Sequence, residues 1–152
     1  MSQSVEPEVV LQVSAVKMRV AYAETDRMGF LHHSNHLRWF ERGREEFCRR
    51  RLAEYRKLED AGTLVVVADA QLEYKVPLEY EDVATLTVSL VEVRHATLRF
   101  RYVLTRDRDG VVAARGSTRH AFLTRAGRVT RVDAALAALL TAPEAFSREG
   151  EL

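Results

Sequence analysis

The stretch Ala23–Phe47, AETDRMGFLHHSNHLRWFERGREEF, determines the predicted fold. It leaves a predicted strand, turns through an acidic residue and a glycine, and enters the strongest helical pattern of the chain. Ser34 or Asn35 is the expected N-cap, because their side-chain oxygens accept hydrogen bonds from first-turn N–H groups. Apolar residues then recur at spacings near three and four, which is typical of one helix face; they are Leu37, Phe40, Phe47, Cys48 and Leu52.

Gly43 interrupts this apolar face. A glycine inside a helix costs about 1 kcal/mol relative to alanine, so its presence predicts close backbone packing on another element. The helix is predicted to end between Lys57 and the Ala61-Gly62 pair, where a glycine can terminate it.

The sequence on both sides of the helix alternates with a period of two, as half-buried strands do. Val13–Tyr22 is a predicted strand with one apolar side, formed by Val16, Met18, Val20 and Tyr22. After Gly62 the even positions are apolar, namely Leu64, Val66, Ala68, Ala70, Leu72, Tyr74 and Val76, and Pro77 ends this strand.

Three further strands and a short helix are predicted from the same patterns. Leu86, Val88 and Leu90 mark a strand that reaches about Val93, and Leu98, Phe100, Tyr102 and Leu104 mark the next. The Asp109-Gly110 pair is a hairpin signal before a long strand, Val111–Thr124. A short strand is expected over Arg128–Val132, and Asp133 is the expected cap of a helix over Ala134–Leu140.

The predicted order is a strand, a long helix and then four or five consecutive antiparallel strands. Such an order predicts an α+β layer pair, with the sheet wrapped on the apolar face of the helix. The expected organisation is one domain over residues 13–142, preceded by a flexible lead-in at 1–12 and followed by a polar tail at 143–152. Because one helix covers only one side of the sheet, oligomerisation is also expected.

Composition indicates a cytoplasmic protein. The chain has 152 residues, 47% of them hydrophobic and 30% charged, with a formal net charge of +1. A net charge this small gives no general attraction to nucleic acid or anionic membranes. Cys48 is the single cysteine and cannot form an internal disulfide, which fits a reducing compartment. We expect no secretory signal and no membrane insertion, because no apolar run approaches the ~20 residues that span a bilayer.

Asp26 is the leading candidate for chemistry. It lies just before a helix start, where free backbone N–H groups and the helix dipole favour negative charge. One interpretation is that Asp26 only shapes the turn through local hydrogen bonds. The other is that it acts as a general base or as a nucleophile toward an acyl carbonyl, with a first-turn N–H group stabilising the oxyanion.

Other chemistries have less support in the sequence. His32 and His36, or His33 and His36, have spacings that allow a shared helix face, but the sequence places no third metal ligand and contains no HExxH motif. Cys48 lies on the apolar helix face and is interpreted as a buried structural thiol. The run Arg49–Arg51 points in several directions around the helix, so a solvated face is preferred to a nucleic-acid site. The GxSxG, Walker A and GxGxxG motifs are missing.

The segments Tyr22–His33 and Trp39–Arg44 resemble the signature of hotdog-fold acyl-CoA thioesterases. The most similar branch is the 4-hydroxybenzoyl-CoA thioesterase-like group, including the Tol–Pal-associated thioesterases. The similarity continues through Ala70–Asp82, where Tyr74, Pro77 and Asp82 match, and reaches Val112–Ala114 and the Gly127-Arg128 turn. Three positions depart from the usual pattern: Glu24 replaces another acid, His36 replaces an aromatic residue, and Gly43 replaces alanine.

The resemblance implies a hotdog fold, in which a five- to six-stranded antiparallel sheet wraps a long central helix. It also implies dimers with a continuous sheet, often paired into tetramers, with active sites at the dimer interface. Asp26 matches the catalytic aspartate, the backbone N–H of His33 matches the group that polarises the thioester carbonyl, and Glu41 matches a supporting acid. The implied substrate-binding residues are Tyr22, Gly29, His36, Arg94, His95 and Thr97.

Hydrolysis of an acyl-CoA thioester is therefore the predicted function. No metal or redox cofactor is expected, since CoA arrives as part of the substrate, and no nucleic-acid partner is expected. Two alternatives remain open at this point. One is a non-catalytic acyl-CoA or acyl-carrier binding protein, and the other is an enoyl-CoA hydratase or dehydratase of the same fold. The sequence leaves the acyl group open, from aroyl to long aliphatic chains.

Overall fold

The computed structural model describes residues 9–51 and 62–141. The predicted end of the long helix, Leu52, most of the lead-in and the polar tail lie outside these residues. The described elements are β1 (Gln12–Arg19), a 3-10 turn (Tyr22–Glu24), α1 (Asn35–Arg51), β2 (Thr63–Tyr74), β3 (Val83–Val93), β4 (Thr97–Arg106), β5 (Val111–Thr124) and α2 (Ala134–Thr141).

The five strands form one antiparallel sheet in the order β1-β3-β4-β5-β2. Helix α1 packs against β1 and β3 and is the helix that this sheet wraps, as in the predicted hotdog fold. The expected run of consecutive neighbouring strands holds only for β3, β4 and β5. It is wrong for β2, which pairs with β5 instead of β3 and forms the edge of the sheet opposite β1.

The core lies between α1 and the inner face of the sheet. The predicted apolar faces of β3 and β4 are confirmed: their inward side chains are almost completely buried, and β5 adds small residues and one phenylalanine to the same layer. The fully buried side chains of these three strands include Leu86, Val88, Leu90, Tyr102, Leu104, Ala113, Ala114 and Phe122.

The buried face of α1 differs in part from the predicted stripe. Phe40 and Phe47 are fully buried as expected, but Leu37 is 44% exposed and Trp39 is only 1% exposed. The buried face therefore runs along His36, Trp39, Phe40, Gly43 and Phe47, spacings that also follow the helical period. The buried face thus includes Trp39, and Leu37 lies on the exposed side of the helix.

Gly43 packs closely on the sheet, which confirms the sequence prediction. A Cβ atom at this position would lie 2.5 Å from Leu86 Cδ2 and 2.8 Å from Val88 Cγ2. Non-bonded carbon atoms do not approach this closely, so a larger residue would force the Leu86 and Val88 side chains or the helix itself to move. Gly43 thus sets the distance between α1 and the sheet.

The predicted apolar face of β2 is confirmed at Leu72 and is wrong at Leu64 and Val66. Val65 and Leu72 pack against the core, while Leu64 and Val66 are 40% and 37% exposed. The register of β2 against β5 shifts between Val67 and Asp69. One extra residue at a bulge moves the following side chains to the other face, so a strict period of two cannot describe the whole strand.

Two strand boundaries also differ from the predictions. Strand β1 ends at Arg19, and Tyr22 is 78% exposed in the 3-10 turn instead of continuing the buried side of the strand. The expected strand over Arg128–Val132 is a single bridge between Leu123 and Val129. Helix α2 is confirmed, and Asp133 Oδ1 accepts hydrogen bonds from two of its first N–H groups, as predicted for a cap.

A buried polar chain joins α1 to β4 and β5. Arg44 donates a hydrogen bond to the Tyr102 hydroxyl at 3.0 Å, this hydroxyl lies 2.6 Å from Thr118 Oγ1, and Thr118 Oγ1 lies 2.8 Å from His120 Nε2. If each hydroxyl accepts from one neighbour and donates to the next, His120 Nε2 is the final acceptor and the ring is neutral. Burial, and to a smaller extent the positive charge of Arg44, lowers the pKa of His120 to about 4.

We predict that His120 makes the fold less stable as the pH decreases from about 6.5 to about 4. In this range the unfolded state binds a proton at His120 and the folded state does not, so lowering the pH favours unfolding, by about 3 kcal/mol over the whole range. Urea unfolding at several pH values measures this slope. His120→Gln should flatten it, whereas the exposed-site control His95→Gln should not; equal slopes for His120→Gln and the parent would contradict the prediction.

Candidate active site

Asp26 lies at the tip of a tight turn that follows the 3-10 turn. Its Oδ1 atom accepts hydrogen bonds from Met28 N at 2.9 Å and Phe30 N at 3.1 Å, and its own N–H donates to the Phe30 carbonyl at 2.7 Å. Gly29 completes the turn with a φ of +82°, which favours glycine. Within the described chain no group donates to Asp26 Oδ2. One carboxylate oxygen therefore shapes the turn and the other remains available.

The two arms of this turn pair with each other and lead into α1. Thr25 and Leu31 form an antiparallel bridge, and His32 N donates to the Glu24 carbonyl at 2.8 Å. The returning arm also binds the rest of the fold, since Leu31 N donates to the Leu78 carbonyl at 2.7 Å. The segment from Glu24 to His32 is therefore a closed loop whose base stands at the start of α1.

Glu24 joins this loop to the buried face of α1. Its Oε2 accepts a 2.7 Å hydrogen bond from Trp39 Nε1, and its Oε1 accepts a 2.9 Å bond from Ala21 N. Its carbonyl also accepts from the side chain of the buried Asn35 at 2.9 Å. The sequence analysis noted Glu24 only as a departure from a pattern. The available signal was Trp39, because a buried indole N–H group requires an acceptor.

The backbone N–H of His33 is placed as a free donor. His33 lies two residues before α1 begins, and among the described residues nothing accepts a hydrogen bond from its N–H. The carbonyl of the same peptide unit, that of His32, accepts from Asn35 N at 2.9 Å. A hydrogen bond accepted by a peptide carbonyl polarises that peptide and strengthens its N–H as a donor.

The expected helix caps act differently from the prediction. The Ser34 hydroxyl lies 2.8 Å from His32 Nδ1, and the Asn35 side chain donates to Glu24. Both side chains therefore stabilise the loop before the helix. The consequence for the site is that the residues on each side of His33 are fixed by local hydrogen bonds.

Tyr74 and His36 hold the peptide that follows His33. The Tyr74 hydroxyl donates to the His33 carbonyl at 2.7 Å, and His36 Nδ1 lies 3.2 Å from the same oxygen. The two rings pack edge to face, with centroids 4.8 Å apart. Burial lowers the pKa of His36 and raises the pKa of Tyr74, so both rings are neutral near pH 7. A carbonyl only accepts, which places the His36 proton on Nδ1.

Two other predicted site residues, Tyr22 and Glu41, are exposed. Tyr22 packs edge to face on Tyr80, with ring centroids 5.7 Å apart, and Tyr80 N donates to the Gly29 carbonyl. Tyr22 and Gly29 therefore both lie beside the Asp26 turn. Glu41 projects from α1 on its exposed side and has no hydrogen bond or ion pair with any described residue. Within one subunit, no hydrogen bond or ion pair among the described residues connects Glu41 to the Asp26 turn.

Arg94, His95 and Thr97 lie at the opposite end of the sheet from Asp26. The Asp26 loop contacts the chain just before β3, and these three residues follow the last residue of β3. Strand β3 has 11 residues and is therefore about 33 Å long. A single subunit does not bring the three predicted CoA-binding residues together with Asp26.

Two stacked histidines, one cysteine and the helices bear on metal binding and membrane insertion. His32 and His33 stack with ring centroids 4.2 Å apart, but among residues 9–51 and 62–141 no three His, Cys, Asp or Glu side chains are arranged to hold a metal ion. Cys48 is half-buried on α1, where it packs against the core. None of the helices in the described residues combines the length and the apolar character that a membrane span requires.

Comparison with known proteins gives consistent matches. A family model described as the thioesterase-like superfamily matches residues 20–145. A protein of Aquifex aeolicus, named provisionally as an esterase, is 35% identical to this chain over 116 residues. These residues are 76% of this chain and 88% of that protein. The acyl-CoA thioesterase YbgC of Haemophilus influenzae is 31% identical over 91 residues, which are 59% of this chain and 67% of that protein.

A solved structure extends the similarity to the fold. The crystal structure of a hypothetical protein from Aquifex aeolicus matches with a TM-score of 0.77 at 33% identity, and the match covers 84% of this chain and 98% of that chain. The family match itself includes the Asp26 turn, α1 and the four strands that follow it.

Proposed function

The chain belongs to the thioesterase-like superfamily and is a thioester hydrolase, and from that premise we propose that it cleaves acyl-CoA with Asp26 as its nucleophile or general base. The observation that supports this role is that the two oxygens of Asp26 differ in their hydrogen bonding. Oδ1 is held by two backbone N–H groups, which fixes the carboxylate, and Oδ2 accepts no hydrogen bond from a described residue.

Either role of Asp26 gives a balanced reaction. As a nucleophile, Oδ2 attacks the thioester carbonyl carbon, the C–S bond breaks, CoA leaves as a thiolate that takes a proton, and water then hydrolyses the acyl-aspartate anhydride. As a general base, the carboxylate takes a proton from water while the water oxygen attacks the same carbon; the C–S bond then breaks, and the CoA thiolate takes up the proton. Both routes yield the free acid and CoA, and neither requires a metal or a redox cofactor.

The proposed oxyanion donor is the N–H of His33. In both routes negative charge develops on the carbonyl oxygen of the substrate, and a fixed N–H group stabilises it, typically by about 2.7–4 kcal/mol. The donor is supported from both sides of the residue: Asn35 N binds the carbonyl before it, and Tyr74 and His36 bind the carbonyl after it. In this proposal His36 helps to orient the donor.

The proposed working unit is a cytoplasmic homodimer formed through β2. This strand is an outer edge of the sheet, and Leu64, Val66 and Val67 are exposed on it at 40%, 37% and 52%. An unpaired apolar edge is a surface that favours association. Tyr74, which holds the His33 carbonyl, is the last residue of the same strand, so a partner on β2 lies beside the site. Pairing of two such dimers into a tetramer stays a prediction of the family resemblance.

This dimer also supports a role for the distant CoA-binding candidates. Two-fold pairing of β2 with its copy is antiparallel, so the Tyr74 end of one strand meets the Thr63 end of the other. The Thr63 end lies at the same end of the sheet as the hairpin between β3 and β4, because Thr63 pairs with Thr124 and Thr97 pairs with Ala121. We therefore place the partner subunit's Arg94 beside the site, to bind the phosphates of CoA.

We predict that Asp26→Asn lowers kcat by about 100-fold or more while the fold is retained, since the amide oxygen can still accept from Met28 N and Phe30 N. Release of free thiol from a panel of aroyl- and acyl-CoA substrates measures the rate. The matched control is Asp133→Asn, which changes the same group at a helix cap and should leave kcat unchanged. Parent-like turnover by Asp26→Asn would remove Asp26 from the mechanism.

The two alternative functions are tested on the same substrates by measuring binding and enoyl-CoA absorbance beside thiol release. Saturable binding of acyl-CoA to the parent without thiol release indicates a binding protein, and a change in enoyl-CoA absorbance without thiol release indicates a hydratase. Either result would overturn hydrolysis as the function.

We predict that Tyr74→Phe lowers kcat by about tenfold with little change in KM, because it removes one hydrogen bond that orients the His33 peptide and keeps the ring against His36. Tyr80→Phe is the matched control, since the Tyr80 hydroxyl binds no described residue. An unchanged kcat for Tyr74→Phe would show that this hydrogen bond does not support the oxyanion donor.

We predict that subunits carrying Asp26→Asn and subunits carrying Arg94→Ala restore activity when they are mixed through denaturation and refolding. Each homodimer lacks one required group in both sites, but a mixed dimer has one intact site if Arg94 acts across the interface. Random mixing then returns about a quarter of the parent activity. No recovery, with mixed dimers demonstrated by mass, would show that Arg94 does not act in trans.

A further inference from the structure

Glu24 joins the loop that carries Asp26 to both the 3-10 turn and α1. Five hydrogen bonds involve this residue: two to its carboxylate, two to its carbonyl and one from its own N–H to the Ala21 carbonyl. Trp39 and Asn35, which donate to it from α1, are 1% and 8% exposed, so the loop is tied to the buried side of the helix.

The carboxylate of Glu24 is used for two donors at once. Ala21 N–H points at Oε1 and the Trp39 indole N–H points at Oε2, and both groups can only donate. Two acceptor oxygens on one planar group are therefore required. A glutamine has the same shape, but its NH2 group would face one of the two N–H donors whichever way it is turned.

The covalent path from Glu24 to Asp26 is short. One residue separates them, and the arm on the other side of the turn is held by the same residue, because the Glu24 carbonyl accepts from His32 N. Movement of Glu24 away from Trp39 therefore moves both arms of the turn. Displacements of about 1 Å in a catalytic group can lower a rate by about 100-fold.

We propose that Glu24 is a positioning residue of the hydrolytic site, which aligns the Asp26 carboxylate with the start of α1 through its bond to Trp39. This inference rests on the proposed function, in that alignment matters for catalysis only if Asp26 performs the chemistry. The role in orienting the loop itself is independent of that chemistry.

The kinetic test uses Glu24→Gln, Trp39→Phe and the double variant. Glu24→Gln should lower kcat by about 10- to 100-fold, measured per folded molecule, with a much smaller change in KM. Adding Trp39→Phe removes one of the two donors, so the glutamine can turn its oxygen to Ala21. Glu24→Gln should therefore lower kcat less in the Trp39→Phe background than in the parent, by at least about threefold.

Glu45→Gln, on the exposed side of α1, is the matched control and should leave kcat and KM unchanged. Equal losses from Glu24→Gln in both backgrounds would overturn the link to Trp39. A loss that disappears when rates are corrected for the folded fraction would reduce Glu24 to a stabilising role and would also overturn the proposal.

A structural measurement separates this proposal from the proposed function. Trp39 is the single tryptophan, so its fluorescence reports one site, and it should shift to longer wavelength in Glu24→Gln as the indole loses its carboxylate partner and gains water. Hydrogen exchange at the Met28 and Phe30 amides, which bind Asp26, should accelerate in the same variant. These changes without any parent thioesterase activity would retain the positioning of the loop and reject the hydrolysis, whereas unchanged fluorescence and exchange would reject the positioning.

Discussion

The close approach of α1 to the sheet is the constraint on which the rest of the structure depends. Two glycines allow it from opposite sides. A Cβ at Gly43 would meet Leu86 at 2.5 Å, and a Cβ at Gly116 would meet the Phe40 ring at 2.5 Å. With both positions reduced to hydrogen, Phe40 stacks on Tyr102 with ring centroids 4.3 Å apart. Because interiors are packed to crystal-like density, this contact fixes the height of the helix above every strand it crosses.

A helix fixed in this way also fixes the loop that carries Asp26. The start of α1 is held by the His33 carbonyl, which binds Tyr74 of β2, and the buried Trp39 donates to Glu24. The loop has few buried apolar side chains of its own, so its position is determined by hydrogen bonds to elements that the core makes rigid. The geometry of the site is therefore a consequence of helix packing, and the short turn contributes only its local shape.

The sequence predicted the parts of the fold in which local pattern and burial agree. Strands β3, β4 and β5, the cap at Asp133 and the close packing at Gly43 follow from alternation, turn chemistry and propensity, each of which is local. The buried face of β2 was predicted wrongly before the bulge between Val67 and Asp69, because the bulge changes the phase of the alternation and leaves no mark in composition. The position of β2 at the sheet edge depends on strand pairing, which is not a local property.

The candidate site shows the same division. Asp26 was a candidate from its place between a turn and a helix, whereas Glu24 and Tyr74 were given no role in the site, because their hydrogen-bond partners lie 15 and 41 residues away along the chain. Arg94 illustrates a further limit. It lies about 33 Å along β3 from the end of the strand that the Asp26 loop contacts, and the contact between that loop and the chain before β3 is not local in sequence.

For Asp26 the structural and catalytic interpretations do not compete. A carboxylate has two oxygens, and turn formation uses one of them. A carboxylate with both oxygens hydrogen-bonded to the turn would be a poor base. One with neither oxygen hydrogen-bonded would move freely and lose its alignment. Holding one oxygen with backbone donors is the arrangement that leaves the other oxygen available in a fixed place. The turn-forming role therefore supports the proposed catalytic role.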